Sequence, residues 1–227
     1  MAADSDTAPL DPSAVLWSAG PGERAGRPLL VLLHGYGADE RDLFALARLL
    51  PEEFVLAAPR APLAPPWPSP GHSWYPIEGL DGRDPGRVTA AARGVLQWLD
   101  AAASGSRVGL LGFSQGAAVA LQALRLEPER IDFVVNFSGY VAPGDLAGDG
   151  ALAERRPPVF WGRGTADDVI PLALVDHTAQ WLPSRVDLSG RVYPGLTHSV
   201  SDQEIDDVNV FLRKRLDEAR EGGGTVA

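Results

Sequence analysis

The sequence contains no cysteine among its 227 residues. This absence excludes disulfide bonds, thiolate nucleophiles and cysteine-ligated zinc together. An excess of positive charge is also missing, because 30 acidic residues face 20 basic ones and the formal net charge is -10. Such a charge attracts neither phosphate backbones nor anionic lipid, so we expect neither nucleic acid nor stable membrane association.

Long hydrophobic runs are absent as well. The acidic first residues are not followed by an apolar run of signal-peptide length, and no segment approaches a membrane span. These features predict a cytoplasmic protein. Without internal repeats or a composition shift, the chain is expected to form one domain over 26–220, between an N-terminal extension over 1–25 and a flexible tail over 221–227.

Short apolar runs alternate with helical patterns along the chain. The runs bounded by Gly or Pro predict buried strands, of which the last is the weakest: Leu29 to Leu33, Phe54 to Ala58, Val108 to Phe113, Ile131 to Phe137, Val159 to Trp161 and Val186 to Tyr193. Helices are predicted after Asp39, after Asp84, and after Ser201, where Ser201 and Glu204 form a capping-box pattern. This alternation predicts an α/β fold with a mostly parallel central sheet flanked by helices.

Two long connections stand out in this pattern. Residues 59–87 are rich in proline and contain several aromatic residues, which favours an ordered flap. Residues 138–157 are too few to hold a separate cap domain. The sequence therefore predicts an open active site at the carboxyl ends of the strands, where α/β proteins bind their ligands.

Residues 112–116, Gly-Phe-Ser-Gln-Gly, match the G-x-S-x-G pattern. In a chain with 25 glycines the pattern alone is weak. Its context is stronger, because a strand pattern precedes it and a helical pattern follows, as in a nucleophile elbow. Glycines beside the serine permit a sharp turn at which a Cβ would clash. We interpret Ser114 as the nucleophile, against the alternative of a glycine-rich turn without chemistry.

A serine hydroxyl needs a base to take its proton, and histidine is the usual base. His198 follows the last predicted strand and precedes the final helix. His34 and His72 precede Ser114, which contradicts the hydrolase chain order of Ser, Asp and His. His177 lies within a helical pattern. These comparisons favour His198 as the general base.

The third member is a carboxylate that orients the imidazole, placed between Ser114 and His198 in the chain. Asp167 and Asp168 both follow the predicted strand at 159–161, and their spacing does not separate them. The tetrahedral oxyanion also needs two N-H donors, one from Gln115 and one from the glycine-rich bend at 33–37. Substrate contacts are expected from four further residues: Trp74, Phe113, Val169 and Leu196.

Several segments in order resemble the phospholipase/carboxylesterase family of α/β-hydrolases, which includes small bacterial carboxylesterases and acyl-protein thioesterases. The likeness spans nearly the whole chain from about residue 28, and its marks are residues 32–40 (LLHGYGADE), 58–62 (APRAP), 73–77 (SWYPI), 112–118 (GFSQGAA), 164–167 (GTAD) and 197–200 (THSV).

The resemblance implies an α/β-hydrolase fold without metal or organic cofactor, and often a homodimer. It places the catalytic acid on Asp167 and the second oxyanion donor on the backbone of Tyr36. The sequence departs from the family at Asp168, where a proline commonly follows the acid. It also departs at Tyr36, where many thioesterases have leucine, although only the backbone of this residue is needed.

These features together predict a serine hydrolase that cleaves carboxylic esters of short to medium acyl chains through an acyl-enzyme. An acyl-protein thioesterase or a lysophospholipase is the alternative, and it requires a longer apolar channel walled by Trp74 and residues 59–87. A noncatalytic ligand-binding protein of the same fold is a remote alternative, against which the complete set of Ser, Asp and His candidates argues.

Overall fold

The computed structural model describes residues 8–66, 68–77, 83–103 and 107–222. Within these ranges a seven-stranded sheet has the strand order β1-β3-β2-β4-β5-β6-β7. All neighbouring strands pair in parallel except β1 and β3, which are antiparallel. The strands are β1 Val15–Trp17, β2 Leu29–Leu33, β3 Val55–Pro59, β4 Val108–Phe113, β5 Phe133–Phe137, β6 Pro158–Gly164 and β7 Asp187–Tyr193.

Helices cover both faces of this sheet. The α-helices are α1 Arg41–Phe44, α2 Pro85–Ala102, α3 Gln115–Leu126, α4 Asp149–Arg155, α5 Leu172–Trp181 and α6 Asp202–Gly222, and short 3₁₀ turns occupy Pro21–Glu23, Ala47–Leu49 and Leu182–Ser184. Proline at the start of α2 and the Asp84 carboxylate, which accepts the Gly86 N-H, fix the beginning of that helix. Within the described residues no helix is long and apolar enough to cross a membrane.

The central strands are buried on both faces, so each face of the sheet has its own core. Alternate residues of β2 illustrate the division, because Val31 packs with α2 and α3 whereas Leu30 and Leu32 pack with α6. Helices α4 and α5 complete the first layer and α1 completes the second. This double burial explains why the strands read as continuous apolar runs in the sequence.

The predicted fold class is confirmed, with two local differences. Strand β1 lies inside the expected N-terminal extension and was not predicted, since three residues are too few to show a pattern. The helix predicted after Asp39 consists only of the four-residue α1 followed by a 3₁₀ turn at Ala47–Leu49. Residues 1–7 of the extension and 223–227 of the predicted tail lie outside the described residues.

The two long connections are ordered where they are described. Residues 59–87, of which 67 and 78–82 are outside the description, are fixed by isolated bridges between Ala38 and His72 and between Leu63 and Ser73. Residues 138–157 contain α4, and no separate cap domain is present in the described parts of the chain. In the described residues, no cap therefore covers the carboxyl ends of β2, β4, β5 and β6.

A partly buried ion pair joins the loops that follow β2 and β3. The Glu40 carboxylate is 4% exposed and accepts two hydrogen bonds of 2.6 Å from the Arg60 guanidinium. These bonds lower the pKa of Glu40 to about 2. Because bidentate arginine pairs fix geometry as well as charge, this contact positions the loop that continues from β2 toward the candidate site.

Glu204 in the first turn of α6 is a buried carboxyl group without a compensating partner. The Ser201 hydroxyl accepts the Glu204 N-H at 3.2 Å, which forms half of the predicted capping box. The other half is absent, because neither carboxyl oxygen of Glu204 has a hydrogen-bond partner among the described residues. Burial raises the pKa of Glu204 to about 7, and the charge of Asp207 acts in the same direction.

We predict that Glu204 makes stability fall as the pH rises from its ordinary pKa of 4.5 to about 7. In this window the folded state binds more protons than the unfolded state, so unfolding becomes easier with rising pH. The loss amounts to up to about 3 kcal/mol. Glu204→Gln keeps the size and removes the titration, so urea unfolding at pH 5 and pH 8 should show a flatter pH dependence for this variant.

The matched control is Asp206→Asn, which removes a charge from an exposed position on the same helix. It should retain the wild-type pH dependence. An unchanged pH dependence in Glu204→Gln would contradict the assignment of this titration to Glu204.

Candidate active site

Ser114 lies at a sharp turn between β4 and α3. Its φ of 53° and ψ of -113° are an unfavourable combination for a residue with a side chain. The turn is held by the Ser114 N-H, which donates to the carbonyl of Phe137 on β5, and by the Ser114 carbonyl, which accepts the Ala118 N-H. The hydroxyl is thereby presented above the sheet edge.

Glycine is required on both sides of this turn. A Cβ at Gly112 would lie 2.4 Å from the Ala117 nitrogen, and one at Gly116 would lie 2.0 Å from the Leu33 carbonyl oxygen. Both contacts are with backbone atoms, which cannot rotate away as a side chain can. The spacing of glycines in the motif therefore follows from the close approach of α3 to β4 and to the end of β2.

The structure brings Ser114, His198 and Asp167 into one chain of hydrogen bonds. His198 Nε2 lies 2.8 Å from Ser114 Oγ, and His198 Nδ1 lies 2.8 Å from Asp167 Oδ2. Since a carboxylate only accepts, Nδ1-H donates to Asp167 and Nε2 is left to accept the Ser114 proton. The ring of Phe113 packs against the imidazole, with the two ring centroids 4.8 Å apart.

Asp167 is held as a carboxylate by several donors. Its Oδ1 accepts the N-H groups of Val169 and Ile170 at 3.0 and 3.4 Å. Burial acts to raise its pKa, but the hydrogen bond and charge of His198 and these backbone bonds outweigh burial and lower it. Asp168 is exposed and forms none of these contacts. The geometry thus separates two neighbouring carboxylates that the sequence spacing left equivalent.

Two backbone N-H groups are available beside Ser114. Those of Tyr36 and Gln115 donate to no acceptor within the described part of the chain, and both residues line the same cavity as Ser114. The Gln115 N-H is one of the free donors at the beginning of α3, where the helix dipole favours negative charge. The expected oxyanion donors are therefore placed at one site.

A buried polar network supports these donors from behind. The Gln115 side chain accepts the Trp74 N-H at 2.8 Å and donates to the Tyr75 carbonyl at 2.6 Å. The Trp74 indole N-H donates to the carbonyl of His34. His34 accepts the Ala61 N-H, and burial lowers its pKa, which suits a neutral imidazole in this position. The network ties residues 73–75 to the bend after β2.

The cavity at Ser114 has a volume of about 190 Å³. Of the substrate contacts expected from the sequence, Phe113 and Val169 line it. Trp74 and Leu196 do not line it. Trp74 is 2% exposed and its ring packs near that of His34, while the Leu196 carbonyl accepts the Ala166 N-H. Sequence reasoning missed five other lining residues: Tyr75, Ile77, Arg83, Tyr140 and Ile170.

No group of three or more metal-ligating side chains occurs in the described ranges. The strand order, the turn at Ser114 and the open sheet edge define an α/β-hydrolase without a cap domain in the described residues. The site joins residues that follow β4, β6 and β7 with the bend after β2. The strand order reverses between the neighbouring strands β2 and β4, which is where open α/β sheets bind their ligands.

The particular family follows from comparison with known proteins. The model of the phospholipase/carboxylesterase family matches residues 20–216, and the chain therefore belongs to this family of carboxylesterase-type hydrolases. Acyl-protein thioesterase 1 of Yarrowia lipolytica is 27% identical over 87% of this chain and 96% of its own. Acyl-protein thioesterase 1 of Saccharomyces cerevisiae is 31% identical, but the alignment spans about half of each chain, 54% of this one and 56% of the yeast protein.

Solved structures agree with this placement. The crystal structure of esterase PE8 superposes with a TM-score of 0.68 at 28% identity and covers 83% of this chain and 92% of its own. A phospholipase/carboxylesterase from Dyadobacter fermentans DSM 18053 superposes with a TM-score of 0.67 at 25% identity, covering 90% and 96%.

The two neighbouring carboxylates supply a test of the site. Asp167→Asn preserves size but replaces a carboxylate that only accepts with a neutral amide that also donates, so the His198 tautomer is no longer fixed and turnover should fall by about 10⁴-fold. Asp168→Asn is the matched control and should cost less than about tenfold, because an exposed charge acts only through screened solvent. Turnover of one activated ester by both variants, with folding verified by thermal melting, checks this. Greater damage from the Asp168 variant would reassign the acid.

Proposed function

We propose that this protein hydrolyses carboxylic esters of short acyl chains, with Ser114 as nucleophile, His198 as general base and Asp167 as the orienting acid. The hydrogen-bonded sequence from Ser114 Oγ through His198 to Asp167 is the observation that carries the proposal. Family membership supports the reaction class, and the names of the relatives, carboxylesterase and acyl-protein thioesterase, agree with it.

In the first step, Ser114 Oγ bonds to the carbonyl carbon of the ester while His198 Nε2 takes the hydroxyl proton. The resulting oxyanion accepts the N-H groups of Tyr36 and Gln115. The alcohol then leaves with the proton held by His198, and the acyl group stays on Ser114. A water molecule repeats the sequence, which releases the acid and restores the serine.

Cavity size favours short acyl chains. The volume of about 190 Å³ is small beside the roughly 300–1,000 Å³ of typical ligand pockets, which suits an acyl chain of a few carbons. Short thioesters share the same mechanism, because the thiolate is also a leaving group.

The cytoplasmic location and the homodimer inferred from the sequence stay predictions.

Ser114→Ala and His198→Ala should each lower ester hydrolysis by about 10⁴-fold or more, and the double variant should be scarcely worse. The reason is that the base has no proton to take without the serine, and the serine has no acceptor without the base. Single-turnover kinetics on a 4-nitrophenyl ester measures all three. Losses that multiply in the double variant would argue against a shared mechanism.

The cavity predicts a chain-length optimum. Among 4-nitrophenyl esters, kcat/KM should be highest for acyl chains of about two to six carbons and fall at dodecanoate, since a longer chain exceeds a cavity of about 190 Å³. The series should be measured below the critical micelle concentration of each ester. A kcat/KM that rises steadily to dodecanoate would favour the thioesterase or lysophospholipase alternative.

A further inference from the structure

One wall of the Ser114 cavity carries a cation that the hydrolytic mechanism does not use. Arg83 precedes α2 and lines the cavity together with Ser114 and His198. Its Nη2 donates to the carbonyl of Val169 at 3.0 Å, and its guanidinium carbon lies 5.9 Å from the centre of the Tyr140 ring. Arg83 is therefore held against the cavity wall by a backbone acceptor and an aromatic ring.

Arg83 forms no ion pair with any of the described residues. Among the described residues that line the cavity, none is acidic. Asp167 is two residues before Val169, but its two oxygens already accept hydrogen bonds from His198 and from backbone N-H groups. Asp168 points into solvent as an exposed residue. The remaining guanidinium N-H groups thus have no acceptor in the described part of the chain.

Two tyrosines line the same cavity, and their hydroxyl groups are in contact. The hydroxyl oxygens of Tyr75 and Tyr140 are 2.6 Å apart, and each residue is 1% exposed. Burial raises the pKa of Tyr140 to about 12 and that of Tyr75 well above its ordinary value, so both keep their protons at neutral pH. In this contact one hydroxyl donates its proton to the oxygen of the other. The second hydroxyl has no acceptor for its own proton among the described residues, so it is free to donate.

A guanidinium and a hydroxyl that both lack acceptors form a donor set for a carboxylate. Arginine binds carboxylates through paired N-H donors, and such charge-assisted hydrogen bonds are stronger than neutral ones. An anionic substrate needs a local cation to bind, because the protein as a whole carries a formal charge of -10 and repels anions. Because the cavity is small, a carboxylate bound at Arg83 lies only a few atoms from Ser114.

We propose that the preferred substrates are esters whose short acyl chain ends in a carboxylate, with Arg83 and the Tyr75 and Tyr140 hydroxyls as the specificity-determining residues. This inference rests on the proposed function and narrows its substrate class. Hydrolysis of such a half ester consumes one water and gives the free dicarboxylate and the alcohol. The acyl-enzyme would hold its terminal carboxylate at Arg83 while the alcohol departs.

A matched pair of substrates tests the charge directly. Mono-4-nitrophenyl glutarate and 4-nitrophenyl hexanoate have acyl chains of similar length, and only the first ends in a carboxylate. Wild-type kcat/KM should favour the glutarate ester by about tenfold or more after subtraction of spontaneous hydrolysis. The preference should shrink as salt is added, because the interaction is electrostatic.

Arg83→Met should remove this preference, lowering kcat/KM for the glutarate ester by about 10- to 100-fold and that for hexanoate by less than threefold. Arg83→Lys keeps the charge without the fork of donors and should retain part of the preference. Arg48→Met is the matched control, because it removes an exposed arginine that does not line the cavity. It should leave both substrates unaffected.

Equal losses on both substrates in Arg83→Met would show that Arg83 only supports the Val169 wall, and would overturn the proposal. So would a wild-type enzyme that hydrolyses the two esters equally well. Thermal melting of each variant separates these results from misfolding. If Arg83→Met does not fold, the substrate preference of Arg83→Lys tests the proposal instead.

A binding experiment separates this inference from the proposed function. Ser114→Ala should bind monomethyl glutarate in calorimetry, and adding Arg83→Met should weaken that binding by about tenfold or more. Arg83-dependent binding together with a wild-type enzyme inactive on every ester would support the carboxylate site and refute the hydrolase. Ester hydrolysis without Arg83-dependent binding would refute the carboxylate site alone.

Discussion

The close approach of the turn at Ser114 to the end of β2 is the constraint on which the site depends. Gly116 packs against the Leu33 carbonyl and Gly112 against the backbone of α3, so neither position accepts a side chain. This crowding forces Ser114 into its strained backbone conformation. It also brings the beginning of α3 to the bend after β2, so that Gln115 and Tyr36 line the same cavity as Ser114.

Strain of this kind persists only where surrounding contacts determine the conformation. Here the contacts are largely polar and buried. The Gln115 side chain holds residues 73–75, Trp74 bonds the carbonyl of His34, and the Glu40 and Arg60 pair fixes the loop that follows. Several segments of the family resemblance thus meet in one network, which explains why those short stretches of sequence occur together.

The charges of the site are arranged differently from those of the whole protein. The chain carries a formal charge of -10, yet the one carboxylate at the candidate catalytic residues, Asp167, is bonded to His198 and to two backbone N-H groups. The cavity is lined instead by residues that carry donors: Tyr36 and Gln115 with their backbone N-H groups, and Arg83 and the tyrosine pair with theirs. A cavity lined in this way suits a substrate that develops or carries negative charge.

The sequence by itself determined the fold class, because strands buried on both faces read as apolar runs, and it singled out Ser114 and His198 by their positions at strand ends. Its spacing did not separate Asp167 from Asp168, which only the family resemblance did, since the direction of a loop side chain depends on the backbone bonds that only the folded loop makes. It also missed Tyr75, Arg83 and Tyr140. Tyr75 and Arg83 belong to the connection over 59–87 and Tyr140 to that over 138–157, so only the packing of these two connections at one sheet edge brings the three residues to the cavity.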